Sequence, residues 1–295
     1  MALLLITRFT LQEAIRRRLF LAVIILSALL LVAFIILLTV AINLVQSNSS
    51  ATGGGGPSAQ LLLLSGGVFF DILIIWLVYL LSSLLTIVLT TNMISGEVEA
   101  GTFAVIVPKP ISRAEIVIGK WLGSALIVVV YTALMFFVFL AVIYWKTGYW
   151  PSQSFSALGT LELAMLALLG LTTMGSAFVP TIVNGAIVLV LFIGAPVASF
   201  VQFVVQVISP AHSQALQNVA TAINLIIPTD ALWHGTSFFL LPSAEVFPIL
   251  GLSSNSFNTP FTSTQPIATA LLIWVACYIL VLPLIAVLRF QRRDL

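Results

Sequence analysis

A chain of 295 residues that is 61% hydrophobic and only 7% charged cannot cover a water-facing surface, because soluble domains carry about 25% charged residues. Its net charge of +2 leaves no polybasic footprint for nucleic acid. The single cysteine, Cys277, rules out an internal disulfide and a cysteine-based metal cluster, and in its apolar run it is expected to be a small packing residue. With a mean hydropathy of +1.21, the expectation is an all-α polytopic membrane protein, one transmembrane domain over 1–295.

The opening MALLLITRFTLQEAIRRRLF does not read as a signal peptide, because its basic cluster follows the first apolar residues. Thr10-Leu11-Gln12-Glu13 fits a capping box. That predicts an amphipathic elbow helix over about 8–18, with Leu11, Ile15 and Leu19 on one face and Glu13, Arg16 and Arg17 elsewhere. Arg16, Arg17 and Arg18 also read as a topogenic anchor. Six segments are apolar enough to span a bilayer: 19–45, 68–92, 115–145, 157–179, 183–208 and 266–289. A turn around Pro180, Asn184 and Gly185 is required between the fourth and fifth, since a merged helix of about 50 residues would exceed any bilayer.

Orientation follows from lysine and arginine. With six spans, Arg8, Arg16, Arg17, Arg18, Lys109, Arg113, Lys120, Arg289, Arg292 and Arg293 fall on one side, and only Lys146 lies opposite. Both termini are therefore expected in the cytoplasm. Three segments then face outside: 46–67 with TGGGGPS, 146–156 with the aromatic YWKTGYW, and 209–265 without a lysine or arginine. In the last, Leu216, Val219, Ile223 and Ile226 recur at helical spacing and stop at Pro228, which predicts an amphipathic helix in the outer interface. A second short helix is expected in PTDALWHG, with Asp230 as N-cap and Gly235 as its stop.

The charged loop over about 93–114 stands out. Ser95 is placed to cap a helix whose first turn holds Glu97 and Glu99, continuing through Gly101 and Thr102 to about Val107. Pro108 and Pro110 end it, and Ser112-Arg113-Ala114-Glu115 forms a capping box that starts the third span. The rival reading is a solvated loop whose charges only fix topology; it leaves the two acids and the two helix starts unexplained.

The residues ISGEVEAGTF and PKPISRAEIVIGKWLG resemble the signature loop of type-2 ABC exporter permeases, the six-span family that includes the NosY and NatB permeases. Its pattern is matched by Ile94, Ser95, Glu97, Glu99, Gly101, Thr102, Lys109, Pro110, Ile111, Ser112, Arg113, Gly119, Lys120 and Gly123. Phe103 stands where leucine is usual and Pro108 where serine is common. The basic N-terminal helix and PTDALW also look familial. The resemblance implies a coupling helix docked on a separate ABC ATPase, with Ser95, Glu97, Glu99, Gly101, Thr102, Phe103, Lys109, Pro110 and Arg113 as coupling residues. It implies two ATPase subunits and a second permease chain, expected to be a homodimer in the plasma membrane of a prokaryote, in contact with lipids. The chain carries no G-x-x-x-x-G-K-[ST] phosphate loop. It is thus expected to be no enzyme and to bind no cofactor itself, ATP and Mg belonging to the partner ATPase.

Glu162 sits inside the outer end of the fourth span, where an acid serves a transport path or snorkels to water. Asp71 is expected at the interface. His212, Asp230, His234 and Glu245 share the outer loop without metal-ligand spacing, and Gly53 to Gly56 lack the lysine and helix of a phosphate cradle. The rival functions are an intramembrane lipid-modifying enzyme, which needs convergent histidines or acids, and an ion-coupled secondary transporter, which needs acids or broken helices near the midplane. The apolar spans mildly favour hydrophobic cargo.

Overall fold

The computed structural model describes residues 2–16, 18–51, 57–99, 112–208, 213–242 and 259–292. Arg17, Gly101, Thr102, Phe103, Lys109, Pro110, His212, Glu245 and the glycine run 53–56 lie outside the described residues. In chain order the helices are α1 (Ala2–Arg16), α2 (Arg18–Ala51), α3 (Pro57–Thr90), α4 (Ser95–Glu99) and α5 (Arg113–Thr147). They continue with α6 (Ser154–Phe178), α7 (Thr181–Ile208), α8 (Ser213–Ile226), α9 (Thr229–Leu240) and α10 (Thr269–Gln291). Six of these, α2, α3, α5, α6, α7 and α10, are long and apolar enough to cross a membrane, so the all-α, six-span architecture is as expected. Among the described residues the only β feature is an isolated bridge between Thr259 and Thr262.

The bundle is built around α6, although α6 is the least apolar of the six candidate spans. Lipid tails are as apolar as leucine, so helices associate in a bilayer by close packing and by pairing polar groups rather than by escaping water. Ala157, Ala164, Ala167 and Gly170 make α6 slim, and α3, α5, α9 and α10 close around it. Its Thr172 and Thr173 hydroxyls donate to carbonyls one turn back, which satisfies them without water. Peripheral α2 instead turns Ile25, Leu29, Val32 and Ile36 outward. Phe34 holds it to the bundle through edge contacts with Phe70 and Phe139, at ring separations of 6.3 and 5.8 Å.

Several local expectations are corrected. Helix α1 begins at Ala2, not near residue 8, and Thr10 does not cap it: its hydroxyl donates to the Ile6 carbonyl inside the helix. Of Leu11, Ile15 and Leu19, only Leu11 packs against the core. Ile15 and Leu19 are exposed, while Ile6, Thr7, Thr10 and Ala14 lie toward α5. The reason is Gly119-x-x-x-Gly123, which lets the two backbones approach. A Cβ at Gly119 would stand 2.9 Å from Ile6 Cγ2, and one at Gly123 would stand 2.8 Å from Thr10 Cβ. Between α6 and α7 the break is only Val179 and Pro180; Asn184 and Gly185 lie inside α7. Cys277, expected to pack inside, is exposed.

The largest correction concerns α8 and α9. The helix does stop before Pro228, but α8 and α9 form a hairpin that dips into the bundle rather than lying flat at its rim. Trp274 Nε1 donates to the Leu225 carbonyl at 3.1 Å, and the Tyr278 hydroxyl donates to the Ile226 carbonyl. Tyr278 is nine residues beyond the start of α10 at Thr269, about 13 Å down its axis. From that depth α9 climbs back, pairing Thr236 with Thr160 at 2.9 Å and ending where the Tyr149 hydroxyl donates to the Leu240 carbonyl at 2.6 Å. Burial pushes the Tyr149 hydroxyl's pKa up, and Asp71 raises it further, so it stays a donor. Asp230 is not the N-cap, which is Pro228 without a side-chain bond, and Gly235 is not the stop, because α9 runs on to Leu240.

Candidate functional site

The charged loop meets the bundle at the end that carries Arg113, Lys120 and Arg289, here termed the basic end. Helix α3 closes at Thr90, residues 91–94 turn, and α4 follows. Ser95 is the first residue of α4, and its hydroxyl does not cap the helix. It donates back to the Thr91 carbonyl at 3.2 Å and pairs with Thr181 Oγ1 at 2.9 Å. At the far end of α4, Glu99 Oε1 accepts from the Thr181 backbone amide at 2.9 Å. That amide opens α7, where the first turn leaves N–H groups without intrahelical acceptors and the dipole favours an anion. A carboxylate on α4 thus caps a different helix, and α4 is pinned at both ends to one residue of α7.

The turn before α4 is held from two further sides. Asn184 Nδ2, from α7, donates to the Thr91 carbonyl at 3.2 Å and to the Thr172 carbonyl of α6 at 3.0 Å. Lys120 Nζ, from α5, donates to the Met93 carbonyl at 3.2 Å. Carbonyls of a turn have no helical partner of their own, so each such donor removes a cost of burial. Beneath them Met93 and Ile94 join Ile116, Val117, Ala177, Ala286, Val287 and Phe290 in a compact apolar cluster. This cluster joins the basic ends of α5, α6 and α10 to the turn after α3.

The start of α5 is tied to the end of α10. The Ser112–Glu115 capping box is present: Ser112 Oγ accepts from the Glu115 amide at 3.2 Å, and the Ser112 amide donates to Glu115 Oε2 at 3.0 Å. Arg113 Nη1 donates to the Phe290 carbonyl at 3.2 Å and to the Gln291 carbonyl at 3.4 Å, with its guanidinium 5.8 Å from the Phe290 ring centre. A cation at a helix C-terminus answers the dipole there. Arg113 therefore clamps the last turn of α10.

Of the other residues singled out from sequence, Glu97 lies within α4. Glu13 lines a narrow crevice with Lys120 where α1, α3 and α5 meet, while Arg16 and Arg18 are exposed around the α1–α2 joint. Glu162 and Asp71 do not belong to this site. Neither reaches water: the carboxylate oxygens of both are buried, and none has a hydrogen-bond partner among the described residues. Asp71 is 0% exposed, so its carboxylate faces the protein interior and not solvent. Among the described residues no three histidines, cysteines or acids gather as a metal site; His234 Nε2 stands 3.6 Å from Asp230 Oδ2, which also accepts from Ser199.

Sequence reasoning missed Thr181 and Asn184. The signal was there for Asn184, a carboxamide in an apolar run, since a polar group inside a span needs a partner. For Thr181 the contact is made by its backbone amide, which no side-chain pattern announces.

A family model described as ABC-2 family transporter protein matches residues 5–295. No curated protein matches the chain.

Proposed function

The chain belongs to the ABC-2 transporter family and is a membrane permease of an ABC transporter, and from that premise we propose that it is an export permease worked through α4 by a separate ATPase. The observation that carries this reading is the double attachment of α4 to the first turn of α7, through Ser95 to the Thr181 hydroxyl and through Glu99 to the Thr181 amide. A subunit gripping the loop over about 93–114 moves α4, and α4 moves the α6–α7 joint. The same grip reaches α5 and α10 through Lys120 and Arg113. In this proposal Gly101, Thr102, Phe103, Lys109 and Pro110 complete the docking surface. The partner binds ATP with Mg and hydrolyses the ATP.

Two permease chains and two ATPase chains form the working unit, with both termini in the cytoplasm of a prokaryotic cell. The outward apolar faces of α2 and α7, among them Ile36, Val40, Val190 and Ile193, support this, because a second permease and lipid are the two surfaces that suit them. Transport proceeds as the two coupling loops are drawn together and released, rocking the spans to open a path between protomers.

The test is co-purification and turnover with the cognate ATPase. The pair Glu97→Lys with Gly101→Pro is expected to abolish the complex. Glu99→Ala is expected to keep the complex while ATP turnover loses its link to transport. A complex that assembles and transports normally with the double substitution, or transport by the chain alone without ATP, overturns the proposal.

A further inference from the structure

Between α3, α9 and residues 259–262, in the half of the bundle away from the basic end, lies a pocket of about 460 Å³, within the range of about 300–1,000 Å³ typical of small-molecule sites. Binding there goes beyond the ATP-driven reading above and does not depend on how an ATPase docks. The rings of Phe69 and Trp76 from α3, of Trp233 from α9 and of Phe261 line it, with Ile72 and Leu73 between them. None of the lining side chains carries a charge. Asp71 falls on the other side of α3, where Gly67 one turn earlier meets Thr147 and Tyr149.

The polar groups of the wall are already paired with one another. The Thr259 and Thr262 hydroxyls meet at 2.7 Å, the Phe261 amide donates to Thr259 Oγ1 at 3.3 Å, and Trp233 Nε1 donates to the Phe261 carbonyl at 2.7 Å. A charged or hydroxylated ligand group entering the pocket would be stripped of water without a partner in return. The rings are held before any ligand arrives: Trp76 meets Phe261 edge-on at 5.8 Å, and Trp233 lies against Tyr79 at 5.4 Å. Depth then decides what reaches the mouth. The span in α3 has 28 residues, from Leu63 to Thr90, so its centre falls near Trp76. Phe69 lies about 10 Å from that centre, inside the half-thickness of about 15 Å of a bilayer's hydrocarbon. Phe69, Leu73 and Phe261 are exposed at the mouth, whereas Trp233 forms the floor at 1% exposure. The pocket therefore opens sideways onto lipid tails and not onto head groups. Tails are as apolar as the wall, so what favours a seated tail is contact: an unfilled void leaves its lining atoms without neighbours.

We propose that this pocket seats the hydrocarbon tail of a bilayer amphiphile, which enters sideways past Phe69 and Leu73 and ends against Trp233. A full chain that keeps Trp233 as its single tryptophan, the other five changed to phenylalanine, reports on the floor, because bromine on a tail quenches indole fluorescence only at short range. In dibromophosphatidylcholine nanodiscs Trp233 is expected to be quenched. Leu73→Phe narrows the mouth at an exposed position and is expected to relieve most of that loss. Dibromostearate at a few mole percent in unbrominated nanodiscs distinguishes sources: saturable quenching marks a single-chain amphiphile, and none, with the phosphatidylcholine effect intact, marks a phospholipid tail. Should the substituted chains fail to fold, the natural chain is photolabelled with a diazirine-tailed phosphatidylcholine, and label is expected on buried Trp233. Three results overturn the proposal: Trp233 that stays bright or unlabelled, quenching that Leu73→Phe leaves unchanged, or a Leu73→Cys, Cys277→Ser chain that forms a disulfide with its own copy across the mouth.

Discussion

Gly175→Ala is the sharpest perturbation that the basic end offers. A Cβ at Gly175 would lie 2.0 Å from Asn184 Oδ1 and 3.0 Å from Asn184 Cγ, far inside the ~3.5 Å at which non-bonded atoms rest. Asn184 cannot simply step aside, because its Nδ2 is committed to the Thr91 and Thr172 carbonyls at 3.2 and 3.0 Å. Rotating the carboxamide frees the methyl but breaks both bonds, at about 0.5–1.5 kcal/mol each. Keeping the bonds instead pushes α6 from α7, an overpacking cost of about 1–3 kcal/mol. Either route destabilises the chain by about 1–3 kcal/mol and loosens the turn that carries α4. Equilibrium unfolding in mixed micelles measures the first effect, and ATP turnover of the reconstituted complex measures the second. A double-mutant cycle with Asn184→Ala identifies the cause: in that background Gly175→Ala is expected to cost less than about 1 kcal/mol, because nothing remains to collide with. If Gly175→Ala is as stable as the natural chain, or if the two penalties simply add, the reasoning fails.

Three other outcomes are expected. Gly119→Val places branched carbon against Ile6 and lifts α1 from α5, costing about 1–3 kcal/mol and raising amide exchange across Ala2–Arg16; unchanged exchange would contradict the packing argument. Tyr278→Phe removes the donor to the Ile226 carbonyl and is expected to destabilise by about 1 kcal/mol, with faster exchange confined to the α8–α9 hairpin and none at α4. Glu162→Gln keeps shape while removing an ionisable group whose oxygens are buried without partners, so the melting temperature is expected to hold or rise; a marked drop would mean that the carboxylate has a stabilising partner after all.

The sequence by itself determined what depends on short stretches and on composition. Charge content and hydropathy made the chain a membrane protein with six spans, and Ser112 to Glu115 announced the start of α5, because a capping box is closed by residues three apart. The loop motif pointed to the family that the match over residues 5–295 bears out. Tertiary structure decided which faces meet. Thr10 and Glu13 satisfy a capping pattern, yet the helix began eight residues earlier and turned Thr10 toward Gly123, since close approach to a glycine on a distant helix outweighed a local signal. Asp230 looked like a cap for the same local reason, and Asp71 like a rim residue. Asp230 is buried where α8 and α9 dip to the depth of Tyr278, tied there by a bond between residues 52 apart, and Asp71 lies inside the bundle. Local periodicity places a residue on a helix, but only the neighbours brought up by the fold decide whether it meets lipid, water or another backbone.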